Sequence, residues 1–366
     1  MTRSQKFVEE QWLAGIPAVG ERGEVPYDRA QIIGLRTLTV YSSFIGTSGD
    51  DVLLGTSGED EMKGKGGHDH LYGKRGTDVL IGGRGHDVLI GGQGKDVLYG
   101  NAGDDRLDGG SGRDTMLGNK GNDIYIVDTE HDKVIEEQNN GHDLVGTYIS
   151  TTIPRWVEDI VAIGNASINI LGNDLDNLIV GNSRVNVIAG RSGSDSIEGK
   201  AGNDILLGNS GDDVLVGSTG DDDLRGGGGD DILDGGSGND KLNGGSGHDV
   251  LLGGVGNNTL SGGAGQDYFV IEFAQHQFVT ITDFRKGHAG DRILLAEDVL
   301  DIELTNPILD EYVRLESTSD STALKVDSDG GGDSFFVVAR LDNVAGLPAN
   351  SLVVADDGAL MIIPTS

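Results

Sequence analysis

The chain has 366 residues, of which 62 are glycine and none is cysteine. Its 60 acidic and 27 basic residues give a formal net charge of −33, which argues against binding DNA or RNA, because that affinity rests on neutralising phosphates with Lys and Arg. The lack of cysteine excludes disulfides and thiolate metal sites, and no stretch of the sequence approaches the roughly 20 apolar residues that cross a bilayer.

Residues 1–45 are predicted to form a polar leader that ends in one capping strand. Glu9 and Glu10 interrupt a basic start, and Pro17 breaks the short apolar run after it, so this segment does not resemble a cleaved secretory signal. Alternating Leu, Val and Tyr side chains predict the strand over residues 35–45.

A nine-residue repeat runs in phase over residues 46–126. Each nonapeptide has the form G-x-x-G-x-D-x-(apolar)-x, with glycine at positions one and four, aspartate at position six and an apolar side chain at position eight. A second array keeps this frame over residues 172–270, although Asn177, Asn186 and Asn258 replace three of its aspartates. The position-six aspartates are Asp51, Asp60, Asp69, Asp78, Asp87, Asp96, Asp105, Asp114, Asp123, Asp195, Asp204, Asp213, Asp222, Asp231, Asp240, Asp249 and Asp267.

Each position of the nonapeptide has a predicted physical role. Glycines at positions one and four permit the positive φ of a tight turn. The three residues after the aspartate, such as Val88, Leu89 and Ile90, are predicted to form a short strand whose middle side chain points inward. Two nonapeptides then make one coil of a flattened right-handed helix, and successive coils stack at the spacing of parallel strands, about 4.7–4.9 Å.

Stacked coils place the position-six aspartates in columns, two in each array, with neighbours 18 residues apart. Such columns repel unless cations lie between them, and carboxylates with backbone carbonyls suit calcium better than magnesium, zinc or copper. One ion for each neighbouring pair gives four and three sites in the first array and four and two in the second, with Asn258 offering a weaker third. Roughly a dozen calcium ions would offset most of the net charge. A disordered acidic tract would not explain an apolar residue in phase at position eight.

Units such as residues 82–90 and 235–243 match the nonapeptide GGxGxDxUx. On these residues the chain resembles the RTX family of hemolysin-type calcium-binding repeat proteins, including the type I-secreted members of rhizobia and other proteobacteria. The resemblance implies that the position-six aspartates bind calcium together with turn carbonyls. It also implies export by a type I secretion apparatus that reads an uncleaved C-terminal signal, with folding on calcium outside the cell.

The two remaining segments are also predicted to be rich in strands. Residues 127–171 are similar to the spacer that links two RTX blocks, and residues 271–366 resemble a C-terminal cap that carries the export signal. Alternating runs predict short strands in this cap at residues 280–284, 292–295, 312–315, 323–326 and 335–339. The turn at residues 327–331 and the apolar residues 360–363 resemble parts of the targeting region.

Enzymatic motifs are missing from the sequence. It holds no H-E-x-x-H of a zincin protease and no serine with glycine at both −2 and +2, as a lipase nucleophile requires. His68, His86 and His248 fall at position five and His70 at position seven, where exposed structural positions are expected rather than metal ligands.

The predicted fold is all-β: two parallel β-roll solenoids joined by a β-rich spacer, with a β-rich C-terminal cap. The predicted function is that of a secreted, extracellular calcium-binding protein that acts without catalysis in adhesion, at a surface or in host signalling. Two alternatives stay open, a membrane-active pore-forming protein and a polysaccharide-active accessory protein. The partner outside the cell is accordingly left open among a polysaccharide, a host surface and a membrane.

Overall fold

A computed structural model describes residues 42–271, 278–285, 290–295, 313–317, 319–326, 336–342, 344, 352–354 and 360–362. Within these ranges the regular structure consists of β-strands, without a helix. The predicted leader up to residue 41 and the turn at residues 327–331 lie outside the described residues. In the part of the chain that is described, we find no helix with the length and apolar character needed to cross a membrane.

The strands of the described residues are, in chain order, β1 (Ser42–Ile45), β2 (Val52–Leu54), β3 (Asp60–Gly66), β4 (His70–Gly76), β5 (Val79–Arg84), β6 (Val88–Gly94), β7 (Val97–Ala102), β8 (Arg106–Gly112), β9 (Thr115–Lys120), β10 (Ile124–Val127), β11 (Lys133–Val134), β12 (Leu144–Thr147), β13 (Thr151–Thr152), β14 (Asp159–Ala162), β15 (Ile170–Leu171), β16 (Leu178–Val180), β17 (Val187–Ser192), β18 (Ser196–Glu198), β19 (Ile205–Ser210), β20 (Val214–Val216), β21 (Asp223–Gly228), β22 (Ile232–Asp234), β23 (Lys241–Ser246), β24 (Val250–Leu252), β25 (Asn257–Ala264), β26 (Tyr268–Ile271), β27 (Phe278–Ile281), β28 (Arg292–Leu295), β29 (Val313–Ser317), β30 (Ser321–Val326), β31 (Phe336–Asp342), β32 (Leu352–Val354) and β33 (Leu360–Ile362).

The nonapeptide period sets both the strands and the core. In β6, Leu89 is fully buried, whereas Val88 and Ile90 on either side are partly exposed, as the alternation of a strand requires. Leu71 pairs with Leu89 and Leu89 with Leu107, so each coil contributes one side chain directly above the last. The predicted inward residue at position eight is confirmed, and these side chains form a narrow column of core along the solenoid.

Strands two apart in the chain pair in parallel, which confirms the predicted parallel β-solenoid. Within both arrays the offset between paired residues is 18, as in Val79 with Val97 and Val214 with Ile232. Even-numbered strands from β2 to β28 lie in one 16-stranded sheet, which β33 and β32 complete. The opposite face consists of a six-stranded sheet ending at β11 and an 11-stranded sheet beginning at β13.

The predicted spacer belongs to this solenoid. Ile124 pairs with Leu144, Leu144 with Asp159 and Asp159 with Leu178, all in parallel, so the larger sheet passes through residues 127–171 without a break. The offsets along this path are irregular, in contrast to the offset of 18 in the arrays. The two arrays are therefore separated on one face only, between β11 and β13.

The C-terminal segment changes the strand direction. β27 and β28 continue the two faces in parallel, after which β28 pairs with β33, and β31 with β30, in antiparallel register. Four of the five predicted strand runs of the cap, all except residues 280–284, overlap β28 to β31 closely. The remaining run, residues 280–284, overlaps the end of β27, which stops at Ile281, so residues 282–284 are not part of a strand. From residues 35–45, only β1 is described, and it forms the predicted strand.

The tight turns correct one sequence prediction. Positive φ occurs at positions two and four of the nonapeptide, for example at Lys65 (88°) and Gly67 (109°), and not at position one. Eight residues other than glycine hold position two in this conformation: Lys65, Lys74, Asn101, Asn119, Arg191, Lys200, Asn209 and Ser218. The predicted role of the position-one glycine in positive φ is wrong, because the left-handed residue is its neighbour.

Candidate metal sites

Position-six aspartates form ladders along both edges of each array. Within a ladder, the backbone N–H of one aspartate donates to Oδ1 of the next aspartate, 18 residues later, as from Asp69 to Asp87 and from Asp87 to Asp105, both at 2.8 Å. The ladders on the two edges of the first array are Asp51, Asp69, Asp87, Asp105 and Asp123, and Asp60, Asp78, Asp96 and Asp114. Those of the second array are Asp195, Asp213, Asp231, Asp249 and Asp267, and Asp204, Asp222 and Asp240. All of the predicted aspartates thus lie in the predicted columns.

The second carboxylate oxygen of most of these aspartates is buried without a hydrogen-bond partner. Such oxygens are the Oδ2 atoms of Asp69, Asp78, Asp87, Asp96, Asp105, Asp114, Asp123, Asp195, Asp204, Asp213, Asp222, Asp231, Asp240 and Asp249. A single buried polar group left unsatisfied costs roughly 1–3 kcal/mol, and a charged one costs more. A series of unpartnered buried oxygens as regular as this indicates that they bind a ligand that is not part of the polypeptide.

The position-one glycines show what lies around these oxygens. A Cβ atom built on Gly73 would lie 2.5 Å from Asp78 Oδ2 and 2.6 Å from the carbonyl oxygen of Gly91, one coil later. On Gly91 the corresponding distances, to Asp96 Oδ2 and to the Gly109 carbonyl, are 2.6 and 2.7 Å. A carboxylate oxygen and a backbone carbonyl therefore border one small space that only glycine leaves open. Hard oxygens of these two kinds are calcium ligands, so the donor set fits calcium.

Burial also changes the acidity of the ladder. It raises the pKa of Asp105 to about 8, with the charges of Asp123 and Asp87 adding to the effect and the backbone N–H of Asp87 opposing it. Burial likewise raises the pKa of Asp78 to about 7. In the absence of a cation, the folded ladder would hold protons near neutral pH, which is the behaviour of closely spaced buried carboxylates.

The ends of the ladders differ from their middles. Asp51 and Asp60 each accept a backbone N–H at Oδ2, from Thr47 and Thr56 respectively, both at 2.5 Å. At the far end, Arg285 places a guanidinium nitrogen 3.2 Å from Asp267 Oδ2, so a fixed cationic side chain already neutralises this carboxylate. These three aspartates lie in the columns, but their Oδ2 atoms have polypeptide partners.

Three asparagines stand at position six in place of aspartate, and their side-chain amides donate hydrogen bonds. The Asn186 amide donates to the Ile168 carbonyl at 2.7 Å, and the Asn177 amide donates to the Glu158 carbonyl at 3.0 Å. The Asn258 amide donates to the Gly254 carbonyl at 3.0 Å. An amide N–H₂ thus contacts a carbonyl oxygen, and the position-six side chain of these three nonapeptides carries no charge.

The ladders extend beyond the predicted residues. Asp114 donates to Asp132, Asp123 to Asp143, and Asp267 to Asp291, each through the backbone N–H to a carboxylate oxygen. Asp132 follows Asp114 by the regular 18 residues, so the period alone could have predicted it. Asp143 and Asp291 follow their partners by 20 and 24 residues, and the period does not reveal them.

The histidines at position five lie at exposed positions and accept backbone hydrogen bonds. His68 and His86 stack at 5.1 Å between ring centroids, and His68 Nδ1 accepts the backbone N–H of His86 at 2.9 Å. His248 Nδ1 accepts the backbone N–H of Gln266 at 2.9 Å. These exposed rings join a second ladder at position five, parallel to that of the aspartates.

Comparison with protein families matches the RTX calcium-binding nonapeptide repeat (4 copies) to residues 45–80, 72–107, 81–116, 90–125, 99–133, 171–206, 207–242 and 243–270. Together these matches span residues 45–133 and 171–270, just over half of the 366 residues. No curated protein matches the chain. The matched spans coincide with the two series of aspartate ladders, and residues 134–170 lie between them.

Proposed function

Because the chain belongs to the family of RTX calcium-binding nonapeptide repeat proteins, we propose that it is a secreted protein whose two arrays fold when calcium binds outside the cell. The single observation that carries this proposal is the series of buried aspartate Oδ2 atoms without partners. The position-six aspartates named above would hold the ions, together with carbonyls of the position-one glycines, and Asp51, Asp60 and Asp267 would contribute least because their Oδ2 atoms have polypeptide partners. Bound calcium would supply the positive charge that these oxygens lack.

Coupling between binding and folding follows from the small core. The only apolar side chains that each regular coil buries are those at position eight, such as Leu80 and Leu89, against a large cost of ordering the backbone. Without cations, the aspartate columns add repulsion and unsatisfied oxygens to that cost. In the calcium-poor cytosol the arrays would stay unfolded and suited to export through a type I secretion apparatus. At millimolar extracellular calcium, binding and folding would be one event.

We propose the five predicted segments as functional parts: leader 1–45, first roll 46–126, spacer 127–171, second roll 172–270, and cap 271–366 with the export signal. Outside the cell, the protein is proposed to act in adhesion, at a surface or in host signalling, without catalysis. The absence of protease and lipase motifs from the sequence supports this role, as does the regular repeat that occupies most of residues 46–270.

One preparation of the full chain tests both parts of the proposal. Far-UV circular dichroism should show strong β signal with millimolar calcium, and a largely unfolded spectrum in EDTA or with magnesium alone. The calcium-loaded protein should carry no current across a planar bilayer. An EDTA spectrum equal to the calcium spectrum would contradict calcium-coupled folding, and discrete channel currents would favour the pore-forming alternative instead.

A further inference from the structure

Three buried carboxylates meet where the first array ends. Asp123 is the last position-six aspartate of its column in the first array, Glu136 follows β11, and Asp143 precedes β12. One carboxylate oxygen from each lies within 4.8 Å of the others. The exposed fractions of these residues are 1%, 8% and 1%, so water does not screen their repulsion. Within the described part of the chain, no Lys, Arg or His forms an ion pair with any of the three.

An unpartnered oxygen points to a ligand at this place. Asp123 Oδ2 is buried and accepts no hydrogen bond. The other groups are held in position by the chain: Asp143 Oδ1 accepts the backbone N–H of Asp123 at 2.8 Å, and Glu136 accepts the hydroxyl hydrogen of Tyr125. The backbone N–H of Asp143 donates to Glu158 Oε2 at 2.8 Å, which fixes the start of β12.

The surroundings of Asp123 Oδ2 differ from those in the regular coils, because the Tyr125 hydroxyl lies beside it. In regular coils such as those of Gly73 and Gly91, the space beside Oδ2 is bordered by the carbonyl of a glycine one coil later. At Gly118 the corresponding neighbours are Asp123 Oδ2 and the Tyr125 hydroxyl. The hydroxyl accepts the Gly118 N–H at 2.7 Å and donates to Glu136. The Tyr125 hydroxyl thus lies where a glycine carbonyl lies at Gly73 and Gly91.

We propose that Asp123, Glu136 and Asp143 form a three-carboxylate calcium site that closes the first roll. The inference rests on the proposed function, because it assumes that calcium is the cation of the rolls. Affinity for calcium rises with the number of charged ligands and the rigidity of the site. A third carboxylate and a fixed frame therefore make this site tighter than the regular ones, so it fills first. Its ion connects β10, the segment after β11 and β12, and so joins the first roll to the spacer.

Terbium, which prefers the same oxygen ligands, gives a direct probe because an excited tyrosine beside it sensitises its emission. The full chain is titrated with terbium, and calcium then competes it off. We expect the tightest step in the wild type to show tyrosine-sensitised emission. Glu136→Gln should weaken that step by about tenfold or more and leave the weaker steps in place. The matched control Glu137→Gln, which changes an exposed neighbour, should leave every step as in the wild type.

Tyr125→Phe keeps all three carboxylates and removes the nearest sensitiser. This variant should lose emission from the tightest step, which keeps the test decisive if Glu136→Gln fails to fold. A tightest step whose affinity is unchanged in folded Glu136→Gln, or whose emission is unchanged in Tyr125→Phe, would overturn the site. Weaker calcium steps and calcium-dependent folding would then survive, and the proposed function would stand. A wild-type chain that shows no calcium-dependent folding would instead overturn the proposed function.

Discussion

Each position-six aspartate uses its two oxygens for different tasks. Oδ1 of Asp87 accepts the backbone N–H of Asp69, which fixes the register between successive coils. Oδ2 of the same residue remains buried and unpartnered. One side chain type therefore both aligns the backbone and presents a charge. Replacement by asparagine keeps the first task and loses the second, as the ladder from Asp240 to Asn258 illustrates.

A substitution at a position-one glycine tests whether the space beside Oδ2 is as small as the structure shows. Gly91 does not have positive φ, so an alanine there meets no backbone strain, but its Cβ would lie 2.6 Å from Asp96 Oδ2. We expect Gly91→Ala to lower the free energy of unfolding in calcium by about 1–3 kcal/mol. Gln93→Ala, at an exposed position of the same nonapeptide, should change it by about 0.5 kcal/mol or less. Urea unfolding in saturating calcium measures both, and equal effects of the two substitutions would argue against a crowded site.

The raised pKa values of the ladder predict a pH dependence that calcium should reverse. Burial raises the pKa of Asp114 to about 7 and that of Asp105 to about 8, from a usual value near 4. The folded, calcium-free chain therefore binds more protons than the unfolded chain, and its stability falls as pH rises from about 4 to about 8.

The calcium-free chain is expected to be unfolded near neutral pH, where its carboxylates already have their usual pKa and are ionised. Protonation should instead stabilise the calcium-free fold, so far-UV circular dichroism in EDTA should gain β signal as the pH falls from about 8 to about 4. A β signal in EDTA that decreases or stays constant as the pH falls would contradict the raised pKa values of the folded ladder.

At the scale of strands and coils, the repeat predicted most of the fold. A period of nine with one inward side chain, such as Leu89, is enough to specify alternate strands on two faces and an offset of 18. The same period specified every aspartate of the predicted columns, because parallel stacking puts identical positions above one another. The local turn was predicted less well, since Lys65 and other residues at position two accept the left-handed conformation that the glycines were expected to supply.

The strand pairing of the spacer could not be predicted from a repeat. Its strands pair at offsets that do not repeat, as Ile124 with Leu144 and Leu144 with Asp159 show, so no local signal marks the partners. Glu136 and Asp143 escaped prediction for this reason, since long-range pairing alone brings them to Asp123. The asparagine units after the spacer differ from the proposed calcium sites in having no charge at position six. There the neutral Asn186 amide contacts a backbone carbonyl that a cation would otherwise contact.

Across the whole chain, the sheet topology joins the two arrays, whereas the net charge opposes their compact arrangement. One 16-stranded sheet runs from β2 through the spacer to the C-terminal strands, so both arrays share a continuous hydrogen-bonded face. The net charge of −33 opposes that compact arrangement, and roughly a dozen divalent ions would offset most of it. Asparagine at position six, as at Asn177 and Asn186 at the start of the second array, removes one such charge from its nonapeptide.

Hydrogen–deuterium exchange read by mass spectrometry, with millimolar calcium and with EDTA, tests calcium-coupled folding most directly. Exchange reports the protection of backbone amides segment by segment. We predict that peptides from residues 46–126 and 190–270 are strongly protected in calcium and exchange as an unfolded chain in EDTA. Protection of those peptides in EDTA as strong as in calcium would show that the buried aspartate ladders are stable without cations, and would contradict the account.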